Sequence, residues 1–424
     1  MTVPVVRERS EGAAPDPRRQ GYDAVLLAGF GGPEGPDDVM PFLRNVTRGR
    51  GIPEERLVEV SHHYQALGGS SPINEQNRRL QAALVAELDR RGIRTPVLWG
   101  NRNWAPYLAD VIGAAHGEGQ VRLLGLATSA YSSYSSCRQY REDFGLALSG
   151  TGLVGSVRID KVRPYFDRPG FWRFFAEGTV AALRDAIAAG LDIADLEIVF
   201  TTHSIPMTMA DTSGSADLGD HGDGGAYVSQ HLAVAGAVID HVRAEIGADP
   251  SWQLAYQSRS GPPSMPWLEP DINDVIDDLA AADRRGVIVV PIGFVSDHVE
   301  VIWDLDNEAA ETAAGHDLYF ARVATPGVDP DFVSALVDLV QERVLDQPAT
   351  EAMPPGASTP SGTARLSGAA RRPDFCAAGC CVNSRVTRPT TAAVDSAADW
   401  ADLDVDPDLL AASGIRGTGE AMRR

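Results

Sequence analysis

The sequence is poor in cysteine, in basic residues and in long apolar runs. Four cysteines in 424 residues are too few for a disulfide-stabilised scaffold. Lysine and arginine number 37 against 58 aspartate and glutamate residues, a formal charge of −21, which argues against partners such as nucleic acid or anionic lipid. No apolar run reaches the roughly 18 residues that a membrane span requires. The 44% hydrophobic content instead indicates a globular protein with a sizeable core.

The few cysteines are distributed unevenly. Cys376, Cys380 and Cys381 lie close together, whereas Cys137 stands alone in the first half of the chain. The first 20 residues mix charged residues and proline without an apolar segment, so we expect no secretory signal and a cytoplasmic location. In a reducing compartment, clustered cysteines bind metal more often than they form disulfides.

Short apolar runs alternate with longer amphipathic stretches, which is typical of an α/β protein built from parallel sheets. The predicted strands divide into two four-stranded halves: Ala24–Ala28, Pro96–Trp99, Val121–Leu126, Val157–Val162, Glu197–Thr202, Gln253–Gln257, Val287–Pro291 and Asp317–Ala321. The predicted helices are Glu75–Arg91, Ala105–His116, Arg138–Leu148, Gly170–Ala189, Val228–Ile246, Ile272–Asp283, Asp297–Ala314 and Pro330–Leu345.

Composition predicts how the chain is organised. The segments are a disordered N-terminal tail (1–20), a first α/β domain (21–169), a second (170–329), a closing helix (330–346), a flexible linker rich in Pro, Ala, Gly, Ser and Thr (347–373), and a cysteine-containing extension with its tail (374–424). The glycine- and aspartate-rich stretch Asp211–Gly225 is interpreted as a solvated loop, because it lacks the ligand spacing of an EF-hand.

Two predicted strand ends carry chemically reactive side chains. His203 follows a buried strand, and Pro206 prevents that strand from continuing. Ligands of open α/β sheets bind at the carboxyl ends of strands, so His203 is a candidate site residue, although a structural role is the alternative. The other strand end passes through Gly293 into a predicted helix that carries acidic residues.

Glu300, Asp304 and Glu308 are spaced four residues apart, which places three carboxylates on one helix face. A solvated acidic face is the simpler interpretation. The apolar run 301–303 next to Glu300 favours a different one, in which Glu300 is at least partly buried. A row of carboxylates leading into a pocket would conduct protons or hard cations, and histidine with carboxylate suits Fe²⁺.

Glycines and aromatic residues recur near other strand ends. The turn Ala28–Pro33 contains three glycines and is a poor match to a dinucleotide-binding loop, and a close backbone approach to a large flat ligand is an equally good reason for the glycines. Aromatic residues in Trp99–Trp104 and Tyr131–Ser136 fit a planar, largely apolar ligand, or else a place in the core.

Four motifs together resemble the ferrochelatases, which insert Fe²⁺ into a porphyrin. They are Leu67-Gly68-Gly69-Ser70-Ser71-Pro72, Thr202-His203-Ser204-Ile205-Pro206, Tyr256-Gln257-Ser258-Arg259 with Pro266-Trp267-Leu268, and Gly293-Phe294-Val295-Ser296-Asp297-His298-Val299-Glu300. The resemblance implies two similar Rossmann-like domains with the porphyrin in the cleft between them. It also implies that His203 and Glu300 are the catalytic and iron-binding pair, and that Asp304 and Glu308 form a proton or metal relay on a helix that is often π-type. The side from which iron enters stays open.

The chain resembles most the soluble ferrochelatases of Gram-positive type, which use coproporphyrin III with its four propionates. The segment Pro36–Leu57 is polar and carries Arg44, Arg48 and Arg50, whereas protoporphyrin-using relatives often have an apolar lip there. A protoporphyrin IX substrate is the alternative. In the soluble branch, porphyrin contacts correspond to Phe30, Thr47, Arg48, His63, Tyr64, Ser71 and Tyr140. Phe30 stands where a tyrosine often ligates the product iron, and it has no oxygen.

The resemblance also accounts for the cysteines. Several ferrochelatases hold a [2Fe–2S] cluster with three C-terminal cysteines and one from the first domain, which correspond to Cys376, Cys380, Cys381 and Cys137. Structural zinc on the same thiolates is the alternative. The expected partners are the porphyrin, Fe²⁺ and transiently a haem-pathway enzyme, with the protein a monomer. A non-catalytic haem or iron sensor and a cobalt or nickel chelatase are the rival functions.

Overall fold

The computed structural model describes residues 21–49, 51–214, 221–261, 264–345 and 380–382. Within them the chain forms two four-stranded parallel sheets, with strand orders β2-β1-β3-β4 and β6-β5-β7-β8. The strands are β1 Ala24–Gly29, β2 Val97–Asn101, β3 Arg122–Ala127, β4 Arg158–Lys161, β5 Leu196–His203, β6 Ser251–Gln257, β7 Gly286–Val290 and β8 Tyr319–Arg322. This confirms the predicted α/β class with two similar sheets. The predicted tail 1–20, linker 347–373 and most of the extension lie outside the described residues.

Helices cover both faces of each sheet. They are α1 Pro36–Val46, α2 Glu54–Ala66, α3 Ile73–Arg90, α4 Leu108–Gly117, α5 Gln139–Thr151, α6 Pro169–Ala188, α7 Met207–Asp211, α8 Gly225–Ile246, α9 Ile272–Ala281, α10 Val299–Val301, α11 Ala310–Gly315 and α12 Pro330–Val344. Two π-helices, Tyr134–Arg138 and Ile302–Ala309, and the 3₁₀ turn Ile193–Asp195 complete the secondary structure of the described residues. None of the described helices is long and apolar enough to cross a bilayer.

Helices α1 and α2 were not predicted from the sequence. Proline starts α1 and also occurs inside it at Pro41, and acidic residues fill the first turn, so the segment reads as a polar loop. Val39, Phe42 and Leu43 nevertheless recur at helical spacing and are buried. They pack with apolar residues of α2 and with Val299, so the segment expected to be a polar lip is a helical pair with its own small core.

The central strands are buried on both faces. All six residues of β1 and all five of β7 are buried, as the continuous apolar runs in the sequence require. In β5 only His203, the last residue, is partly exposed. The carboxyl ends of the strands therefore bring side chains out of the sheet and into the space where the site lies.

The two halves share one apolar core. A single cluster of buried residues extends from Leu27 of β1 to Ile198 of β5 and Phe332 of α12. At the junction Tyr131 stacks on His231 with ring centroids 3.6 Å apart, and the Tyr131 hydroxyl donates to the Ile292 carbonyl at 2.8 Å. Burial lowers the pKa of His231 to about 3, so it is a neutral packing residue.

Buried ion pairs fasten α12 to the first half. Glu342 pairs with Arg168 and lies 3.7 Å from Arg163, and all three side chains are buried. One residue further on, Arg343 lies 3.8 Å from Asp160. Two arginines thus share the Glu342 carboxylate in a place where neither can be solvated.

We predict that Glu342→Gln destabilises the fold by about 3 kcal/mol or more, because two buried arginines lose their shared anion while side-chain shape is kept. Urea unfolding of the full chain measures the change. Arg184→Ala is the matched control, because its pair with Glu245 is exposed and is worth at most about 1 kcal/mol. Equal effects of the two variants would contradict this role for Glu342.

Candidate active site

The two ring nitrogens of His203 have different partners. His203 is the last residue of β5, and its Nδ1 is hydrogen-bonded to the Ser204 carbonyl. A carbonyl only accepts, so Nδ1 carries the proton and Nε2 of the neutral ring keeps its lone pair. Nε2 lies 3.7 Å from Oε2 of Glu300, and the side chains are 33% and 53% exposed.

A glycine allows this approach. Gly293 lies against the end of β5, where a Cβ atom would be only 2.2 Å from Thr202 Oγ1. Its amide donates to the Thr201 carbonyl at 3.1 Å. The loop after β7 is thereby held against β5, and it leads directly into α10, which carries Glu300.

The expectation that Glu300 is partly buried was wrong. Its neighbour Val301 is fully buried in the core, whereas the Glu300 side chain is 53% exposed. Tyr64 and His298 lie close to it. Burial raises the pKa of Tyr64, with a further contribution from the Glu300 charge. Burial lowers the pKa of His298, against the opposing effect of Glu300. His298 was not singled out from the sequence, although it stands two residues before Glu300 in a quoted motif.

The other two acidic residues lie on the π-helix Ile302–Ala309. Asp304 is partly buried and accepts hydrogen bonds from Ser258 Oγ and, at 3.4 Å, from Gln257 Nε2. Burial raises the pKa of Asp304 to about 7, and the charges of Glu300 and Glu308 act in the same direction, while the Ser258 hydrogen bond opposes them. Asp304 therefore exchanges protons near neutral pH.

Glu308 is exposed and accepts a hydrogen bond from Trp303 Nε1 at 2.7 Å. The two residues are five apart, which is the spacing of the hydrogen bonds in a π-helix. Trp303 in turn stacks on His63 of α2, with ring centroids 4.3 Å apart and planes 8° apart. This stack joins the helical pair α1–α2 to the π-helix Ile302–Ala309.

The side chains expected to contact a porphyrin gather near the end of β1. Phe30 is 38% exposed and meets Phe42 edge-on at 6.4 Å, and Phe42 packs against Tyr64. Tyr140 and Ser71 are buried, and Ser71 Oγ accepts from the Ile73 amide at 3.4 Å.

The expected arginines differ in their surroundings. Arg44 is bound to Glu54, which reduces its availability for an anionic ligand. Arg48, next to the helix end at Thr47, is exposed and forms no ion pair within the described residues. Thr47 Oγ1 donates to the Leu43 carbonyl at 2.7 Å. Arg50 lies outside the described residues.

Arg102 is a residue that the sequence reasoning missed. It pairs with Asp143, and its guanidinium carbon lies 5.7 Å from the Phe30 ring centre and 4.8 Å from that of Tyr140. It follows β2 within the aromatic stretch Trp99–Trp104, which was the only signal in the sequence. Arg102 thus ties the Phe30 and Tyr140 rings together.

The glycine turn after β1 packs against the protein itself. A Cβ at Gly29 would lie 2.4 Å from Asn77 Nδ2, and one at Gly32 would lie 2.8 Å from Ser71 Cβ. Gly31 also has φ +85°. Within the described residues, these glycines allow a close approach to asparagine and serine of the same half, and the approach to a flat ligand stays a prediction.

Two of the three clustered cysteines are described, and they dock at the junction of the halves. The Cys380 carbonyl accepts hydrogen bonds from the Arg138 and Arg141 guanidinium groups of the first half, each at 3.4 Å. In the second half, the Gly214 amide donates to Cys381 Sγ at 3.2 Å. The two sulfur atoms are 3.7 Å apart. Cys137 is buried on the π-helix that carries Arg138, and Cys376 lies outside the described residues.

Among the described residues, no group of three or more histidine, cysteine, aspartate or glutamate side chains is arranged to hold a metal ion. The docking also changes the interpretation of Asp211–Gly225. Ser213 is buried, and Thr212–Gly214 contacts Cys381 and Val382, so this part is a docking turn and not a solvated loop.

Known proteins resemble this chain over most of its length. A sequence model described as Ferrochelatase matches residues 22–344. The coproporphyrin III ferrochelatase of Leifsonia xyli is 54% identical, covering 86% of this chain and 92% of its own. That of Streptomyces coelicolor is 51% identical, covering 88% and 97%. Among solved structures, SirB from Bacillus subtilis with Fe³⁺ aligns at 13% identity, covering 76% of this chain and 96% of that chain, with a TM-score of 0.42. On the family match and these identities, the chain belongs to the ferrochelatase family.

Proposed function

We propose that the protein inserts Fe²⁺ into coproporphyrin III and releases coproheme III. The observation that carries this proposal is the pairing of His203 Nε2 with the Glu300 carboxylate at 3.7 Å, with both side chains partly open to solvent. The two relatives at 54% and 51% identity, both coproporphyrin III ferrochelatases by name, support the choice of substrate.

Metal insertion exchanges two pyrrole protons for one Fe²⁺. Neutral His203 accepts a pyrrole proton at Nε2 or binds the incoming iron there, because Nδ1 is already engaged with Ser204. Glu300, 3.7 Å from Nε2, stabilises the protonated imidazole or binds the metal beside it. Both protons leave as iron forms its bonds to the four nitrogens, so no oxidant or reductant is needed.

Asp304 and Glu308 suit the removal of these protons. The pKa of Asp304, raised to about 7 by burial, allows it to take up and release protons at neutral pH. Exposed Glu308 then passes them to solvent, and the same row of carboxylates is a route for hydrated Fe²⁺. Entry of iron from the His203 side is the other route, which this assignment leaves open.

We predict that His203→Ala lowers kcat for iron insertion by about 100-fold or more, because a positioned acid–base group typically contributes 10²–10⁴-fold. Glu300→Gln, which keeps shape and removes charge, is expected to lower kcat strongly as well. Continuous porphyrin absorbance with Fe²⁺ under anaerobic conditions measures both. His316→Ala is the control and should keep wild-type kcat, because His316 is exposed at the end of α11 and pairs with Asp277 instead of Glu300. Full turnover by His203→Ala would remove its assigned role.

The porphyrin-binding residues are proposed to be Phe30, Arg48, His63, Tyr64, Ser71 and Tyr140. Phe30 and Tyr64 supply ring surface, and Arg48 supplies a cation for a propionate. Arg102 belongs to this set through its contacts with Phe30 and Tyr140. Because Phe30 carries no oxygen, it leaves the product iron without a ligand from that position.

Four propionates should favour coproporphyrin III over protoporphyrin IX. We predict a higher kcat/KM for coproporphyrin III in parallel steady-state assays. Arg48→Ala should raise KM about tenfold for coproporphyrin III and less for protoporphyrin IX, since a charge-assisted hydrogen bond to a carboxylate is lost. Arg94→Ala, an exposed arginine after α3, should change neither. A preference for protoporphyrin IX would reverse the substrate assignment and leave iron insertion intact.

We also propose that Cys137, Cys376, Cys380 and Cys381 hold a [2Fe–2S] cluster, which would supply one-electron redox chemistry. The described residues fit such a group in two respects. The 3.7 Å between Cys380 Sγ and Cys381 Sγ is close to the edge, about 3.8 Å, of a tetrahedron with metal–sulfur bonds of about 2.3 Å. An amide donor on Cys381 Sγ is the kind of contact that tunes thiolate ligands.

We predict that protein kept anaerobic is reddish and loses its visible absorption on reduction. Cys376→Ser and Cys380→Ser should each abolish the colour, because four thiolates are the usual ligand set. Iron and acid-labile sulfide analysis gives the stoichiometry. A colourless protein with stoichiometric zinc would replace the cluster with a structural zinc site. The elution volume of the same preparation in gel filtration tests the proposed monomer. Cell fractionation tests the proposed cytoplasmic location.

A further inference from the structure

Tyr227, in the first turn of α8, holds the end of the strand that carries His203. It is buried, and its hydroxyl donates to the His203 carbonyl at 2.9 Å. The same oxygen lies 2.8 Å from Thr202 Oγ1. A phenol has a single proton, so the Thr202 hydroxyl is the donor to Tyr227. Tyr227 thus binds the last two residues of β5 at once.

These bonds affect the orientation of the His203 imidazole. The His203 ring is held through Nδ1 by the Ser204 carbonyl, one peptide further along. Tyr227 fixes the peptide between His203 and Ser204 through the His203 carbonyl. The direction of Nε2 therefore depends on a peptide plane that the Tyr227 hydroxyl orients.

Tyr227 is held in turn by the docking turn Thr212–Gly214. The Tyr227 amide donates to Ser213 Oγ at 2.8 Å, and Ser213 Oγ donates to the Ala210 carbonyl at 2.5 Å. The Ala226 amide donates to the Ser213 carbonyl at 3.3 Å. Ser213 therefore sets the position of the first turn of α8.

The next residue of that turn binds the C-terminal segment. The Gly214 amide donates to Cys381 Sγ at 3.2 Å, and the Cys381 amide donates back to the Gly214 carbonyl at 3.3 Å. Thr212 Oγ1 lies 3.3 Å from the Val382 carbonyl. An unbroken series of hydrogen bonds and peptide bonds runs from Cys381 through Gly214, Ser213 and Tyr227 to His203.

We propose that Tyr227 is a positioning residue for His203, and that through Ser213 it makes the rate of metal insertion depend on the docking of Cys380–Val382. The proposal rests on the proposed function of His203. It holds whichever metal the cysteines bind, because it needs only the docked segment.

Tyr227→Phe tests the positioning role. It keeps the ring and removes the hydroxyl, so kcat for iron insertion is expected to fall about fivefold, the worth of one neutral hydrogen bond. Porphyrin affinity, measured by fluorescence quenching, should not change, because Tyr227 is buried and its hydroxyl is bonded within the protein. Tyr165→Phe is the matched control, since that buried hydroxyl donates at the same 2.9 Å to the Ala127 carbonyl, the last residue of β3.

Thermal midpoints should fall alike in both variants, while kcat falls only in Tyr227→Phe. Wild-type kcat in Tyr227→Phe, or an equal loss in Tyr165→Phe, would overturn the positioning role. A wild-type chain that inserts no iron would instead refute the proposed function, so the two failures are distinguishable.

The link to the cysteine segment is tested by a double-mutant cycle in the full chain. Cys381→Ala should lower kcat in the wild-type background and lower it less in Tyr227→Phe, because both changes act on one series of contacts. Equal losses in the two backgrounds would overturn the link. Ser213→Ala, which leaves the cysteines intact, provides a second cycle with Tyr227→Phe, and additive losses there would overturn it as well.

Discussion

A Cβ atom at Gly293 would lie 2.2 Å from Thr202 Oγ1, so the loop after β7 reaches the end of β5 only because this residue has no side chain. The position of Glu300 depends on that contact, since α10 follows directly. A loop held further away would separate the Glu300 carboxylate from His203 Nε2. The next residue, Phe294, is buried in an apolar cluster with residues of β5, β7 and α9, and this packing holds the loop in place.

The helical segment 299–309, which carries Glu300, Asp304 and Glu308, is electrostatically unfavourable by itself, because like charges one turn apart repel. Its geometry reduces this cost in two ways. Glu300 and Glu308 are exposed and solvated, and partly buried Asp304 has a pKa near 7, so it carries a proton for part of the time at neutral pH. A π-helix also widens the turn, which places Trp303 against Glu308 and against His63 of the neighbouring helical pair. The local instability is thus offset by contacts that belong to the same site.

Secondary structure could be predicted from the sequence where consecutive residues are all buried, and it was missed where an element is only partly buried. Runs such as Val287–Val290 predicted their strands because both faces of a parallel sheet are covered. Helices α1 and α2 were not predicted, because half of each is polar and because Pro41 interrupts the apolar pattern of α1. The exposure of Glu300 could not be predicted from its apolar neighbours, because the direction of each side chain is set by the helix axis and not by the run. Arg102 could not be identified from the sequence, because Phe30 and Tyr140, which contact it, come from distant parts of the chain.

The docked segment spans the junction of the two halves, with Arg138 and Arg141 on one side and Gly214 on the other. It is not needed to hold the halves together, because one apolar core already runs through both, and the ion pairs of α12 fasten the C-terminal helix. The effect of docking is therefore local. The nearest structure that it constrains is the turn before α8, and the buried hydroxyl of Tyr227 leads from that turn to the His203 carbonyl. The proposed coupling between the cysteine segment and His203 would therefore act through this turn, and it requires no change in the sheets.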